Sequence, residues 1–114
     1  MTQSTRRRRF ASLRVLNATT GEVLPYQTVE IDEKGEALGC FPIQAEKPST
    51  VWVEGLIVLS RCMASPRRGE TFAEFTDRLR KMNGELSSPI RLFVVAPFNL
   101  ARMELTERSR AVSL

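Results

Sequence analysis

Two thiols, scattered carboxylates and no histidine define the chemistry open to this chain of 114 residues. Histidine is the usual general base and a common metal ligand near neutral pH. Without it, a serine or cysteine nucleophile lacks its ordinary partner. Cys62, between Arg61 and Met63, is the candidate reactive thiol, because a neighbouring cation lowers a thiol's pKa. Cys40, between Gly39 and Phe41, reads instead as a small buried apolar group. Two cysteines without histidine do not complete a four-ligand zinc site. Asp32 and Glu33 share a turn, while Glu70, Glu74 and Asp77 fall near the start of a helix, where they read as a solvated face that favours the helix dipole. No GxGxxG or GxxxxGK[ST] phosphate loop occurs. The expectation is therefore no catalytic residue, no metal ligand, no cofactor and no identified small-molecule substrate.

Arg6, Arg7, Arg8 and Arg9 form the one conspicuous charged run and are the candidate phosphate contacts. The net charge is +4, and without those four arginines the basic and acidic residues balance at 13 each. The high isoelectric point thus belongs to the run. A nucleic-acid-binding domain usually spreads such charge over a face and interleaves aromatic side chains, whereas only Phe10 follows here. The simpler reading is a solubilising start to the first strand, and nucleic acid is not the expected partner.

The elements that must position these groups are mostly strands. A strand pattern starts at Phe10 and ends in the turn at residues 17–21. Residues 27–32 alternate, with Val29 and Ile31 on one face. The turn 32–35, ending at Gly35, predicts a hairpin with a return strand over 37–41. Residues 51–53 and 56–59 read as two short strands, or one kinked at Gly55, central and covered on both faces, with Trp52 in the core. Residues 65–69 break the pattern. Thr71 and Glu74 then make a capping box, and Phe72, Phe75, Leu79 and Met82 form a helical apolar stripe that Asn83 and Gly84 stop. That stripe reads as core packing, with a partner-binding groove as the alternative. Residues 90–95 predict another strand, 97–107 a loop or short helical turn, and 111–114 a last short strand.

These patterns also resemble a known family. Residues 8–11, the turn at Gly21, the strand 28–32, the turn at Gly35 and residues 52–58 are similar to the N-terminal segment of amidohydrolase-superfamily enzymes of the cytosine-deaminase and chlorohydrolase type. Residues 90–95, with Asn99, Leu100, Met103, Leu105, Thr106, Ser109 and Arg110, resemble the last strands of the same small β-sandwich. The resemblance implies that sandwich without its metal-binding barrel. In the family the apolar segment leads to a histidine metal pair, whereas here Leu59 is followed by Ser60, Arg61, Cys62 and Met63. A barrel of a couple of hundred residues does not fit in what remains. A face normally covered by the barrel would need the helix stripe or a second subunit.

The fold expected is mainly β within the α+β class: a small β-sandwich or rolled sheet of about six to eight short strands with one amphipathic helix packed on it. Residues 1–9 are expected to be a flexible basic terminus and 10–114 a single domain. The expected function is non-catalytic protein–protein binding or self-assembly, with a homo-oligomer or protein partner. The alternatives are an accessory subunit completing a separately encoded barrel and weak nucleic-acid binding through the arginine run. No apolar leader follows the basic run and no stretch is long enough to span a bilayer, so a cytoplasmic location with reduced thiols and no membrane contact is expected.

Overall fold

The frame is a long hairpin. β1 (Arg8–Asn17) and β2 (Glu22–Ile31) pair antiparallel, and Asn17 builds the turn between them. Its Oδ1 accepts hydrogen bonds from Thr19 N at 3.0 Å and Thr19 Oγ1 at 2.6 Å, and Gly21 supplies a φ of 83°. A second turn follows, in which Asp32 Oδ1 accepts from the backbone N–H groups of Lys34 and Glu36, each at 2.9 Å. It delivers β3 (Ala37–Pro42) against β2. These coordinates are a computed structural model that describes residues 7–43 and 50–114.

β4 (Thr50–Trp52) and β5 (Leu56–Ser60) both run parallel to β1 and are offset from each other at Gly55. A Cβ on Gly55 would stand 2.9 Å from the Val95 carbonyl oxygen and from Val94 Cγ1, so only glycine fits this corner. Ser12 Oγ holds it from the other side, donating to the Gly55 carbonyl at 2.6 Å. The helix α1 (Phe72–Gly84) then crosses to β6 (Arg91–Asn99), which pairs with β5, and β7 (Glu104–Val112) follows as a hairpin.

The architecture is mainly β, a small α+β domain: one mixed sheet of seven strands, not closed, with one helix. The order is β3-β2-β1-β5-β6-β7, with β4 beside the first half of β1. This is the rolled-sheet form of the expected fold rather than two stacked sheets. The roll brings Ala37 N to the Ile90 carbonyl at 2.8 Å, beside a single bridge between Glu36 and Arg91. Its inner face carries Phe10, Val15, Val29, Ile31, Val53, Ile57, Leu59 and Val94. The outer face carries Leu16, Ala18, Leu56, Val58, Phe93 and Val95, and α1 covers these with Phe75 and Leu79.

Two residues reconcile both faces with strand alternation. The ladder between β1 and β2 is interrupted between the pairs Ser12–Gln27 and Arg14–Pro25. There Tyr26 takes a φ of 52°, and its carbonyl accepts from Ile43 N at 3.0 Å. The alternation slips by one place at this point. Phe10 and Val15 lie an odd number apart yet both point inward, and Val29 points inward while Val23 packs outward.

The helix forms as its signals predict. Thr71 Oγ1 accepts from Glu74 N at 3.1 Å, and Glu74 Oε1 accepts from Thr71 N at 2.9 Å. The phenylalanine stripe is core packing: Phe75 and Leu79 are fully buried, Phe72 and Met82 are partly buried, and the Phe72 ring lies 5.4 Å from that of Phe98. Full burial of Phe75 and Leu79 contributes about 1.5–3 kcal/mol each.

Four expectations are corrected. Residues 56–59 are buried on both faces as expected, but Val51 and Trp52, on opposite faces of β4, are 53% and 52% exposed. Residues 97–107 are not a loop: β6 runs on through Pro97 to Asn99, and β7 begins at Glu104. Proline is tolerated there because β7 bulges away, and no ladder pair is formed at that position. Finally, Asn83 and Gly84 belong to the helix, whose cap is Glu85. The first strand also starts at Arg8, ahead of the expected Phe10.

Candidate functional site

The candidates from sequence occupy different parts of the molecule. Arg7 and Arg9 face Glu30 across the β1–β2 ladder, at 3.7 Å and 3.1 Å, and Arg8 lies over the Phe10 ring. Arg6 lies outside the described residues. The described part of the run is thus tied into the first strand pair, and part of its charge is neutralised.

Cys62 lines a small cavity of about 230 Å³ with Ser60, Arg91, Phe93 and Ser113. Its Sγ lies 3.8 Å from Ser60 Oγ. The Arg61 guanidinium, expected beside it, donates instead to the Ser88 carbonyl at 2.6 Å. The polar groups here serve packing. Asn83, 3% exposed, donates through Nδ2 to Ser60 Oγ at 2.9 Å and to the Leu79 carbonyl at 2.8 Å, and its Oδ1 accepts from Arg61 N at 2.7 Å. This network fastens the end of α1 to the end of β5. Cys40 packs against the inner cluster as expected, donates to Gln27 Oε1 at 3.3 Å, and burial pushes its thiol pKa up. A thiol so shifted is a weaker nucleophile.

A larger site escapes sequence reasoning. A groove of about 750 Å³ runs between residues 66–70 and the 105–110 part of β7. Arg67, Arg68, Arg108 and Arg110 line it, all exposed, and none forms an ion pair among the described residues. Glu70, expected on a solvated helix face, lies ahead of the helix cap with its side chain 10% exposed. The Arg78 guanidinium reaches it with two bonds, Nε to Oε2 at 2.9 Å and Nη2 to Oε1 at 2.8 Å, while Arg67 N donates to Oε1 at 2.9 Å. These bonds hold the Glu70 carboxyl below the usual carboxylate range, led by the hydrogen bond from Arg78.

Both walls of the groove are braced. Arg78 Nη2 also donates to the Ser65 carbonyl, and Ser65 Oγ accepts from Ala111 N, each at 2.9 Å. In the bulge of β7, Ser109 Oγ accepts from Thr106 N at 2.9 Å and donates to the Pro97 carbonyl at 2.6 Å. Arg108 N donates to Thr106 Oγ1 at 3.2 Å. The only signal in the sequence was the surplus of arginine, and the overall charge balance outside the N-terminal run concealed its clustering.

A different region stands out for apolar exposure. The ladder aligns Trp52 with Ala11, Ala11 with Thr28, and Thr28 with Phe41, a row across β4, β1, β2 and β3. Within it Ala11 and Thr28 are buried and Phe41 is half-buried, while Trp52 is half-exposed and belongs to neither core cluster. Beside it, β3 ends the sheet and carries no charged residue.

Among the described residues, no group of three or more cysteine, aspartate or glutamate side chains is placed to hold a metal ion, and no helix is long and apolar enough to cross a membrane. Compared with protein-family models, with curated proteins and with solved structures, the chain matches none.

Proposed function

We propose that this is a binding domain that assembles with a second copy of itself through the Trp52 end of its outer face and the edge strand β3. One observation carries the reading: the two edges of the sheet are treated differently. β7 is bulged and carries Glu104, Glu107, Arg108 and Arg110, features that discourage strand addition. β3 is also bulged, at Leu38, and its first residue Ala37 is bonded to Ile90, but from Leu38 to Pro42 it carries no charge, and Leu38 is 48% exposed. Next to it lies a face with a half-exposed tryptophan, the kind of anchor that dominates association energetics.

The choice of a second copy rests on charge. Arg7 and Arg9 stand against Glu30 beside this row, so the surface presents both signs together. A two-fold axis brings each sign against its opposite. The reading does not depend on the resemblance to amidohydrolases. A separately encoded barrel seated on the same face is an outcome of the test.

Light scattering coupled to size exclusion is the test. The full chain is expected to elute as a dimer at tens of micromolar, and Trp52→Ser and Leu38→Lys are each expected to yield folded monomers. A wild-type monomer at the highest soluble concentration rejects self-assembly, and retention of a separately encoded barrel protein by that monomer assigns the face to the accessory role.

A further inference from the structure

We infer that the groove between residues 66–70 and β7 is a binding site for a small polyphosphate, an anion carrying two or more linked phosphate groups. This goes beyond the assembly reading, and the two are separable because the groove lies at β7 and the proposed assembly edge is β3, at the opposite end of the sheet.

The charge is the first argument. Arg67 and Arg68 stand on one wall and Arg108 and Arg110 on the other, with no carboxylate paired to any of the four among the described residues. Of the two acids in the lining, Glu70 is spent on Arg78 and Arg67 N. Four arginines thus face two carboxylates, of which Glu70 also lies within electrostatic reach of Arg67, and the groove is net positive. Guanidinium groups present paired donors in a plane, which matches the spacing of phosphate oxygens better than a point cation does.

Rigidity is the second argument. The Arg78 clamp fixes the 65–70 wall, the Ser109 bonds fix the bulge of β7, and the bond from Ala111 N to Ser65 Oγ joins the two. Side chains on braced backbone lose less freedom when they close on an anion.

Size and lining select the ligand. At about 750 Å³ the groove exceeds the needs of a single phosphate, so charges on both walls favour an extended polyanion. Pro66 and Leu105 are its larger apolar residues and no aromatic ring lines it, so there is no platform on which a base would stack. This argues against single-stranded nucleic acid and for a ligand recognised through its phosphates alone.

The experiment titrates the full chain at low salt with tripolyphosphate, pyrophosphate and sulfate, read by calorimetry and by amide shifts in NMR. Saturable binding is expected, with tripolyphosphate about tenfold tighter than sulfate and shifts confined to residues 66–70 and 105–110. Replacing one arginine from each wall, Arg67→Gln with Arg108→Gln, is expected to weaken binding about tenfold. Arg7→Gln with Arg8→Gln is expected to leave it within about twofold. Shift mapping on the wild type decides the matter if the groove variant fails to fold. Absence of saturation at millimolar tripolyphosphate overturns the proposal. So does equal weakening by the N-terminal variant, or binding of a random oligonucleotide that tripolyphosphate does not displace.

Discussion

Along β1, Leu16 and Ala11 lie on the same outer side of the sheet, yet their surroundings differ. Around Leu16 the face is completed by α1, and Phe75, Leu79, Leu56 and Val58 all reach zero exposure. Around Ala11 the ladder neighbours are Thr28, buried like Ala11 itself, and Trp52, which keeps 52% of its surface. β1 is common to both halves, so its strand propensity does not distinguish them. The helix does: its thirteen residues are long enough for one half only. The helix thus finishes the face it lies on, and at the other end of β1 the sheet keeps a half-exposed tryptophan.

The sharpest way to break this comparison is to empty the finished half. Phe75→Ala is expected to cost about 3–5 kcal/mol in a denaturant melt, since a fully buried ring is removed from a packed interface. A loss below about 1 kcal/mol would mean that the helix is not what completes this face. Asn83→Ala comes next, at about 2 kcal/mol by the same measurement, because Arg61 N loses its partner in a buried place.

Glu70→Gln tests the groove wall and is smaller, about 1 kcal/mol near neutral pH, as a part-exposed charged clamp becomes a neutral one. The pH dependence has a defined sign. The Glu70 carboxyl is held below its ordinary value in the fold. Its contribution is therefore present above the unfolded value and is lost as pH falls through the folded one. The stability gap between wild type and variant is expected to close in acid, below the usual carboxylate range. A gap that stays constant through that range would contradict the clamp.

The same contrast explains what the sequence made legible. The finished half was readable because it is local: Thr71 and Glu74 are three apart, and Phe75 and Leu79 are four apart on one helical face. The turns at Gly21 and Gly35 were readable for the same reason. Trp52 was misjudged because an apolar run shows where burial is favourable and not whether anything arrives to cover it. From its pattern β7 was placed too late, over 111–114, because Pro97 reads as a break and the bulge fills the strand with charge. The arginine groove was invisible because its walls lie roughly forty residues apart in the chain and share no spacing, and only pairing through β6 brings β7 beside residues 66–70.

Trp52 is the single tryptophan of the chain, so its emission reports on this end of the outer face alone. The decisive measurement follows that emission as wild-type protein is diluted from tens of micromolar to nanomolar. Assembly over this face predicts a maximum that is blue-shifted at high concentration and moves to the red along the same curve as the dimer-to-monomer transition. A maximum that stays fixed, at the position of a half-exposed tryptophan, while the protein dissociates would place the contact elsewhere and contradict the account.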